Sequence, residues 1–341
     1  MDYDFLGNTG VKVSNLCLGT MTFGQAKVGL PGQCDDELSH EILNRYMEWG
    51  GNFIDTADVY SQGLSETIIG KWLKSQERNK IILATKVFAP LAGSDMNSRG
   101  LSRRHITASI EKSLERLQTN YIDLYQIHCW DNGSPIRETL LTLNDLVRCG
   151  KVRYTGASNV CGWQLQKIVD LTEQLGISPM STLQQQYSLA SRYDEFEAFC
   201  VCKLNGIAVL PWSPLKGGVL SGKYKRNQKP EEVSGRIGWV AQQENTRGNQ
   251  ACPAWTKLEG NESMWNTLDK LEEISKAKGK SVAQVAIRWL IQRDVVGSVI
   301  IGARNLKQLD DNMGASSGWN LSAEEVRSLY LLTLRLLFDG V

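Results

Sequence analysis

The feature that most constrains this chain is an alternation that runs almost from end to end: short apolar, β-rich runs separated by longer amphipathic stretches. The apolar runs fall at residues 16–20, 52–57, 81–87, 122–128, 152–159, 182–188, 207–213 and 296–303, each bounded by glycine, proline or polar residues. Helical periodicity fills the gaps at 36–49, 66–75, 106–117, 137–148, 163–175, 193–204, 264–278 and 306–313, with Ser65 and Ser102 expected as N-caps. Eight strand–helix units favour a closed (β/α)8 TIM barrel over an open doubly wound sheet. The open alternative uses six strands and a Gly-x-Gly-x-x-Gly turn after the first. Here the first run continues instead as Gly19-Thr20-Met21-Thr22-Phe23-Gly24, so a phosphate site is expected elsewhere.

Three segments stand outside the repeat. Residues 4–14 read as a β-hairpin, with Asn8-Thr9-Gly10 near its turn, placed to plug the N-terminal end of a barrel. Residues 214–262 form a long insertion after strand seven, and 281–293 and 323–337 read as extra helices. No linker interrupts the pattern, so all 341 residues are expected to form one barrel domain.

Composition narrows the partners. A formal net charge of +1 supplies no long-range field for nucleic acid or an anionic membrane, and no apolar run is long enough to span a bilayer. Arg103-Arg104-His105 reads as a solvated turn. A small molecule is the expected partner, and the pattern assigns no oligomeric state. Eight cysteines follow a polar opening, MDYDFLGNTG, that lacks a basic-then-apolar leader, so reduced thiols and a cytoplasmic location are expected. Cys200 and Cys202 make only a C-x-C pair, and His40, His105 and His128 are scattered; no metal is expected.

In a barrel of this kind the active site lies where strands end at the C-terminal face. Asp55 ends the second run, Tyr60 follows in the next loop, Lys86 ends the third run and His128 the fourth. A free tyrosine, with a pKa of about 10, is a poor acid at neutral pH and needs a cation beside it. Lys86 supplies that cation, Asp55 the compensating carboxylate, and His128 a group to orient a substrate carbonyl or help relay the proton. Any one of these residues alone reads as a cap, a rim residue or a solvated strand end. Four titratable groups on consecutive strand ends read as a site.

Gly51 to Tyr60 (Gly-Asn-Phe-Ile-Asp-Thr-Ala-Asp-Val-Tyr), Ala84-Thr85-Lys86 and Asp123-Leu124-Tyr125-Gln126-Ile127-His128 resemble aldo-keto reductase signatures, and the resemblance spans nearly the whole chain. It implies that Asp55, Tyr60, Lys86 and His128 form the family's catalytic tetrad, and that the activity is reduction of aldehydes or ketones by NADPH. It also implies cofactor contacts. Ser158, Asn159 and Gln184 would hold the nicotinamide carboxamide, and Trp212 would stack on the ring. Thr20, Met21, Asp55, Ser213, Leu215, Gly217 and Lys223 are further expected contacts, as are Gly302, Arg304, Gln308, Asp311 and Asn312. The last five follow strand eight and resemble the family's adenosine-phosphate site, where Arg304 would pair with the 2′-phosphate. Phe23, Phe88, Cys129 and Trp130 are expected to wall the substrate pocket, open to sugar-derived, α-keto or aromatic aldehydes. Two rival readings keep the barrel but change its use: a cofactor-binding regulatory or redox-sensing module resembling potassium-channel β subunits, and an isomerase or hydrolase of phosphorylated sugars.

Overall fold

The structure, a computed structural model, describes residues 1–24, 33–91, 93, 95–226, 228, 248–249, 252–253 and 255–334. The N-terminal hairpin pairs β1 (Tyr3–Phe5) with β2 (Lys12–Ser14) in antiparallel register, Tyr3 opposite Ser14. Then come β3 (Leu16–Gly19), β4 (Phe53–Asp55), β5 (Ile82–Val87), β6 (Ile122–Ile127), β7 (Val152–Ser158), β8 (Met180–Gln186) and β9 (Ala208–Trp212). A two-residue pair, β10 (Gly248–Asn249) and β11 (Cys252–Pro253), interrupts before β12 (Val299–Ile301). Strands β3 to β9 and β12 make one parallel sheet of eight, in which β12 lies beside β3. The sheet's two edges meet where Val209 N–H donates to Val295 O (2.8 Å) and Gly297 N–H to Val209 O (3.0 Å). The result is the (β/α)8 barrel that the alternation anticipates.

Helices α1 (Asp36–Glu48), α2 (Leu64–Leu73), α3 (Arg103–Leu117), α4 (Ile136–Arg148), α5 (Gly162–Leu175) and α6 (Ala198–Asn205) follow the strands in turn. After β9 come α7 (Trp255–Glu259), α8 (Glu262–Lys278) and α9 (Val282–Ile291), and after β12 come α10 (Leu306–Met313) and α11 (Ala323–Leu334). Helix α1 shows how sequence sets the packing. Asp35 caps it by accepting from Leu38 N–H (2.9 Å), and Ile42, Leu43 and Tyr46 line its buried face. The Tyr46 hydroxyl lies 2.8 Å from Leu16 O, Phe53 O and Ser14 Oγ, with one proton to share among these acceptors, joining hairpin, β3 and β4. Gly51 is required there, because a Cβ would enter the Tyr46 ring.

Two apolar cores result. The larger fills the space between strands and helices. The smaller lies inside the barrel, where Leu6 and Val13 of the hairpin close over Cys17, Phe53, Ala84, Leu124, Leu210 and Ile300. Because strand side chains alternate between faces, the next inward residue of each strand lies one layer higher. That layer holds Gly19, Asp55, Lys86, Gln126 and Gln184 instead of aliphatic residues. An apolar floor thus carries a polar layer directly above it.

The structure corrects two readings of the local signals. Ser65 is not an N-cap: α2 begins at Leu64 after a left-handed Gly63, and the Ser65 hydroxyl donates to Thr20 O (3.0 Å) and meets Thr56 Oγ1 (3.0 Å). Ser102 does cap α3, accepting from His105 N–H. The sixth helix is broken into a 3-10 turn, Tyr193–Phe196, and α6. The buried Arg192 before that turn spends its donors on Glu195, Tyr330 O and Thr333, which anchors α11. Residues 335–337 and most of the insertion between Arg226 and Trp255 lie outside the described residues. Among the described residues no helix is long and apolar enough to cross a membrane, and no group of three or more His, Cys, Asp and Glu is placed to hold a metal.

Candidate active site

Parallel strands point their C-terminal ends the same way, so Asp55 at the end of β4, Lys86 near the end of β5 and His128 just beyond β6 reach one rim. Tyr60 opens a 3-10 turn after β4 whose next two residues, Ser61 and Gln62, take left-handed φ of 49° and 59°. Such backbone is uncommon for residues other than glycine and needs outside support. The Ser61 hydroxyl supplies some by donating to Phe23 O (2.7 Å), tying the Tyr60 turn to the loop after β3.

Lys86 is completely buried and Asp55 nearly so (2% exposed). The ammonium uses all three of its protons: on Asp55 Oδ2 at 2.6 Å, Thr56 O at 2.8 Å and Tyr60 Oη at 3.2 Å. Burial draws its pKa down, but the charge and hydrogen bonds of Asp55 and Tyr60 outweigh that and push it up to about 12. The lysine is therefore a fixed cation. The other Asp55 oxygen accepts from Gln184 Nε2 at 2.8 Å and Gln126 Nε2 at 3.2 Å, so both carboxylate oxygens are occupied. His128 sits edge-on to Tyr60, ring centroids 6.0 Å apart. Burial, then the Lys86 charge, pushes its pKa down to about 3, so the imidazole is neutral at ordinary pH.

A cavity of about 540 Å³ opens above these groups and extends from Tyr60, His128 and Asp55 to Arg304 and Gln308. Of the residues expected to contact a cofactor, Met21, Asp55, Asn159, Gln184, Trp212, Ser213, Leu215, Gly217, Lys223, Gly302, Arg304, Gln308, Asp311 and Asn312 line it. Asn159 stitches three loops together: its amide donates to His128 O (2.9 Å), and its Oδ1 accepts from Trp212 Nε1 (3.2 Å). At the far side Gly217 and Gly218 have φ of 66° and 97°, while Asn159, Ser213 and Lys216 adopt left-handed φ without being glycine. Left-handed backbone thus recurs along the loop after β9 where it borders the cavity, as it does in the Tyr60 turn.

Other expected residues lie elsewhere. The Thr20 side chain is buried outside the lining, donating to Asp55 O (3.0 Å), so it supports the site from below. Ser158 is buried and accepts from Asn159 Nδ2 (3.0 Å). Phe23 is wholly enclosed in the outer core and forms no pocket wall, because its loop folds back against Cys34. Phe88, Cys129 and Trp130 are half-buried beside the rim, outside the cavity lining. Burial, then Asp131, pushes the Cys129 thiol up to about 11, far from a reactive thiolate. Trp130 packs edge-on against the exposed Trp163 of α5, centroids 5.6 Å apart. Lining residues that the sequence reading missed include Thr22, Pro214, Ser221 and Ala283, and the reading also missed Gln126 beneath them. Only Gln126 carries a signal in sequence: a long polar side chain two residues after the inward-facing Leu124.

A model of the Aldo/keto reductase family matches residues 15–331. An uncharacterized oxidoreductase of Bacillus subtilis is 36% identical, over 92% of this chain and 91% of its own. An aldo-keto reductase of Metarhizium robertsii is 34% identical, over 96% of this chain and 90% of its own. An aryl-alcohol dehydrogenase of Pestalotiopsis microspora is 33% identical, over 94% and 79% respectively.

Proposed function

The chain belongs to the aldo/keto reductase family and is an oxidoreductase acting on carbonyl groups; from that premise we propose that it is an NADPH-dependent reductase of aldehydes and ketones, working as one barrel domain, in which Tyr60 donates the proton. The single observation that carries the assignment is the direction of the hydrogen bond between Lys86 and Tyr60. Lys86 Nζ can only donate, so Tyr60 Oη accepts from it at 3.2 Å and the phenol keeps its own proton. When that proton leaves, the phenolate forms beside a buried cation whose charge Asp55 keeps in place. The neutral His128 at the cavity floor serves to orient the carbonyl oxygen toward the hydroxyl.

The residues present fit a nicotinamide dinucleotide. The cavity is elongated, with a planar indole and two side-chain amides (Trp212, Asn159, Gln184) near Tyr60, and cations (Lys223, Arg304) beside Gly217, Gly218 and Gly302 farther along. A Cβ on Gly302 would meet nothing within 4 Å, so open space lies above that backbone, as close approach of a phosphate group needs. When bound, the cofactor supplies the hydride. Trp212 would flank its ring, and Arg304 would pair with the 2′-phosphate, the basis for preferring NADPH to NADH. The Trp130–Trp163 pair beside the rim and the aryl-alcohol dehydrogenase relative both favour aromatic carbonyl compounds as substrates. Measuring NADPH consumption across aryl, α-keto and sugar-derived aldehydes tests the reading. Aryl aldehydes should give the highest kcat/KM, and NADPH that binds without being consumed by any carbonyl would sink it.

A further inference from the structure

Gln126 is enclosed completely within the barrel, in a layer where its strand neighbour in register is Lys86. Its two ends do different things. The amide nitrogen donates to Asp55 Oδ1 (3.2 Å), and the amide oxygen accepts from Gln184 Nε2 (3.4 Å), which itself donates to Asp55 Oδ1 (2.8 Å). Asp55, Gln126 and Gln184 therefore close a triangle. Both protons of the Gln184 nitrogen are used inside it, so that nitrogen must face inward. The opposite flip would set the Gln184 oxygen against a carboxylate. The Gln184 oxygen is then the atom turned toward the cavity that Gln184 lines. The fold makes room for this arrangement: Gly156, beside Gln126 in register on β7, would press a Cβ within 3.1 Å of Gln126 Cγ.

We propose that Gln126 is a positioning residue with two effects: it holds Asp55 as the fixed counter-ion of Lys86, and it orients the Gln184 amide so that its oxygen is presented to an N–H donor of the bound ligand. The proposal rests on the reading of Tyr60 as acid and of Gln184 as a nicotinamide carboxamide contact. Replacing Gln126 by leucine keeps volume and apolar fit while removing both hydrogen bonds. Asp55 Oδ1 then has one donor instead of two, the Gln184 amide is free to turn, and the Lys86 charge is drawn more strongly to Asp55 than to Tyr60. The ionisable groups around the triangle are Lys86, Tyr60 and Cys17, and the Lys86 charge also acts on His128, just beyond β6, and on Asp58 in the loop after β4.

The test compares Gln126→Leu and Gln126→Glu with the unaltered protein across a pH series. For Gln126→Leu, kcat should fall about ten- to hundredfold at every pH, the range expected for losing a hydrogen bond to a charged group. NADPH affinity, read by fluorescence titration, should weaken by less than about tenfold. Without cofactor, the ultraviolet titration of Tyr60, read against Tyr60→Phe, should move to higher pH. Gln126→Glu can donate to Asp55 only when protonated, which crowding by Asp55 favours. Its kcat should therefore climb toward that of the unaltered protein as pH falls, a recovery that Gln126→Leu cannot show. Gln126→Leu with unaltered kcat and Tyr60 titration overturns the proposal. So does Gln126→Glu with an unaltered pH profile, which decides the matter alone should the leucine variant not fold. Loss of all turnover in the unaltered protein would count against the reductase reading instead, since the ultraviolet titration does not depend on it.

Discussion

The two ends of the cavity are held by different means. Around Asp55 and Lys86, side chains on strands β4, β5, β6 and β8 saturate one another with hydrogen bonds. Around Gly217, Gly218, Lys223 and Arg304, the lining comes from loops after β9 and β12, and the precision lies in backbone angles. A proton-transfer site must fix a charge to within a fraction of an ångström, and strands do that. A site for a long charged ligand has only to offer N–H groups and cations along a path, which loops can do and can vary. If this division holds, damage at one end should leave the other end's measurement untouched.

The largest effect should come from Lys86→Met. It removes the cation beside Tyr60, so carbonyl reduction should fall by about 10²–10⁴-fold. It also strands a buried carboxylate, and breaking one partner of a buried pair costs about 3–5 kcal/mol, read as a lower denaturant midpoint. Tyr60→Phe comes next, with a similar loss in turnover and a smaller loss of stability, since it keeps the Lys86–Asp55 pair and removes only the acceptor of one Lys86 N–H. NADPH should bind it as before. A Tyr60→Phe protein that reduces a good aldehyde at an unaltered rate would show that the proton comes from elsewhere.

At the opposite end Arg304→Ala should weaken NADPH by about one to two decades, the equivalent of about 1.5–3 kcal/mol for a charge-assisted hydrogen bond. NADH, which lacks the 2′-phosphate, should be nearly unaffected. With saturating NADPH the turnover of this variant should match the unaltered enzyme, which sharpens the contrast with Lys86→Met. Equal losses for both cofactors would place Arg304 outside the contact with the 2′-phosphate.

The same division explains what could be read from sequence. The barrel strands were legible from their regular alternation with helices more than from apolarity alone, since β7 (Val-Arg-Tyr-Thr-Gly-Ala-Ser) and β8 (Met-Ser-Thr-Leu-Gln-Gln-Gln) are largely polar. The cluster of Asp55, Lys86 and His128 stood out as titratable groups at strand ends. Ser65 misled because a serine before an apolar helix resembles a cap, whereas Gly63 opens the helix and the hydroxyl turns inward to Thr20 and Thr56. Phe23 misled because a loop aromatic near glycines looks like a pocket wall; a cross-chain bridge to Cys34 that local pattern cannot show buries it. Gln126 was passed over because a polar residue inside an apolar strand has meaning only once Asp55 and Gln184 are known to be its neighbours. The left-handed angles of Ser213 and Lys216 leave no mark in residue type, whereas Asn159 is of a type that adopts them readily.

The smallest expected effect separates the two ends by pH. His128 has a pKa lowered in the folded protein, from 6.5 to about 3, by burial and by Lys86. Below pH 6.5 the unfolded chain takes up a proton at this residue that the folded chain does not. Stability contributed by the neutral imidazole is thus fully present above that pH and is lost as pH falls toward 3, with a limiting slope of about 1.4 kcal/mol per unit. His128→Gln, which cannot be protonated, should lose less stability than the unaltered protein between pH 7 and pH 5.5, by about 1 kcal/mol. No such difference is expected for Arg304→Ala, because arginine side chains in general do not titrate in this range. Denaturant midpoints at the two pH values decide the point: parallel losses in His128→Gln and the unaltered protein would mean that the folded protein accommodates a charged His128, and that the neutral imidazole beside Tyr60 is not enforced by its surroundings.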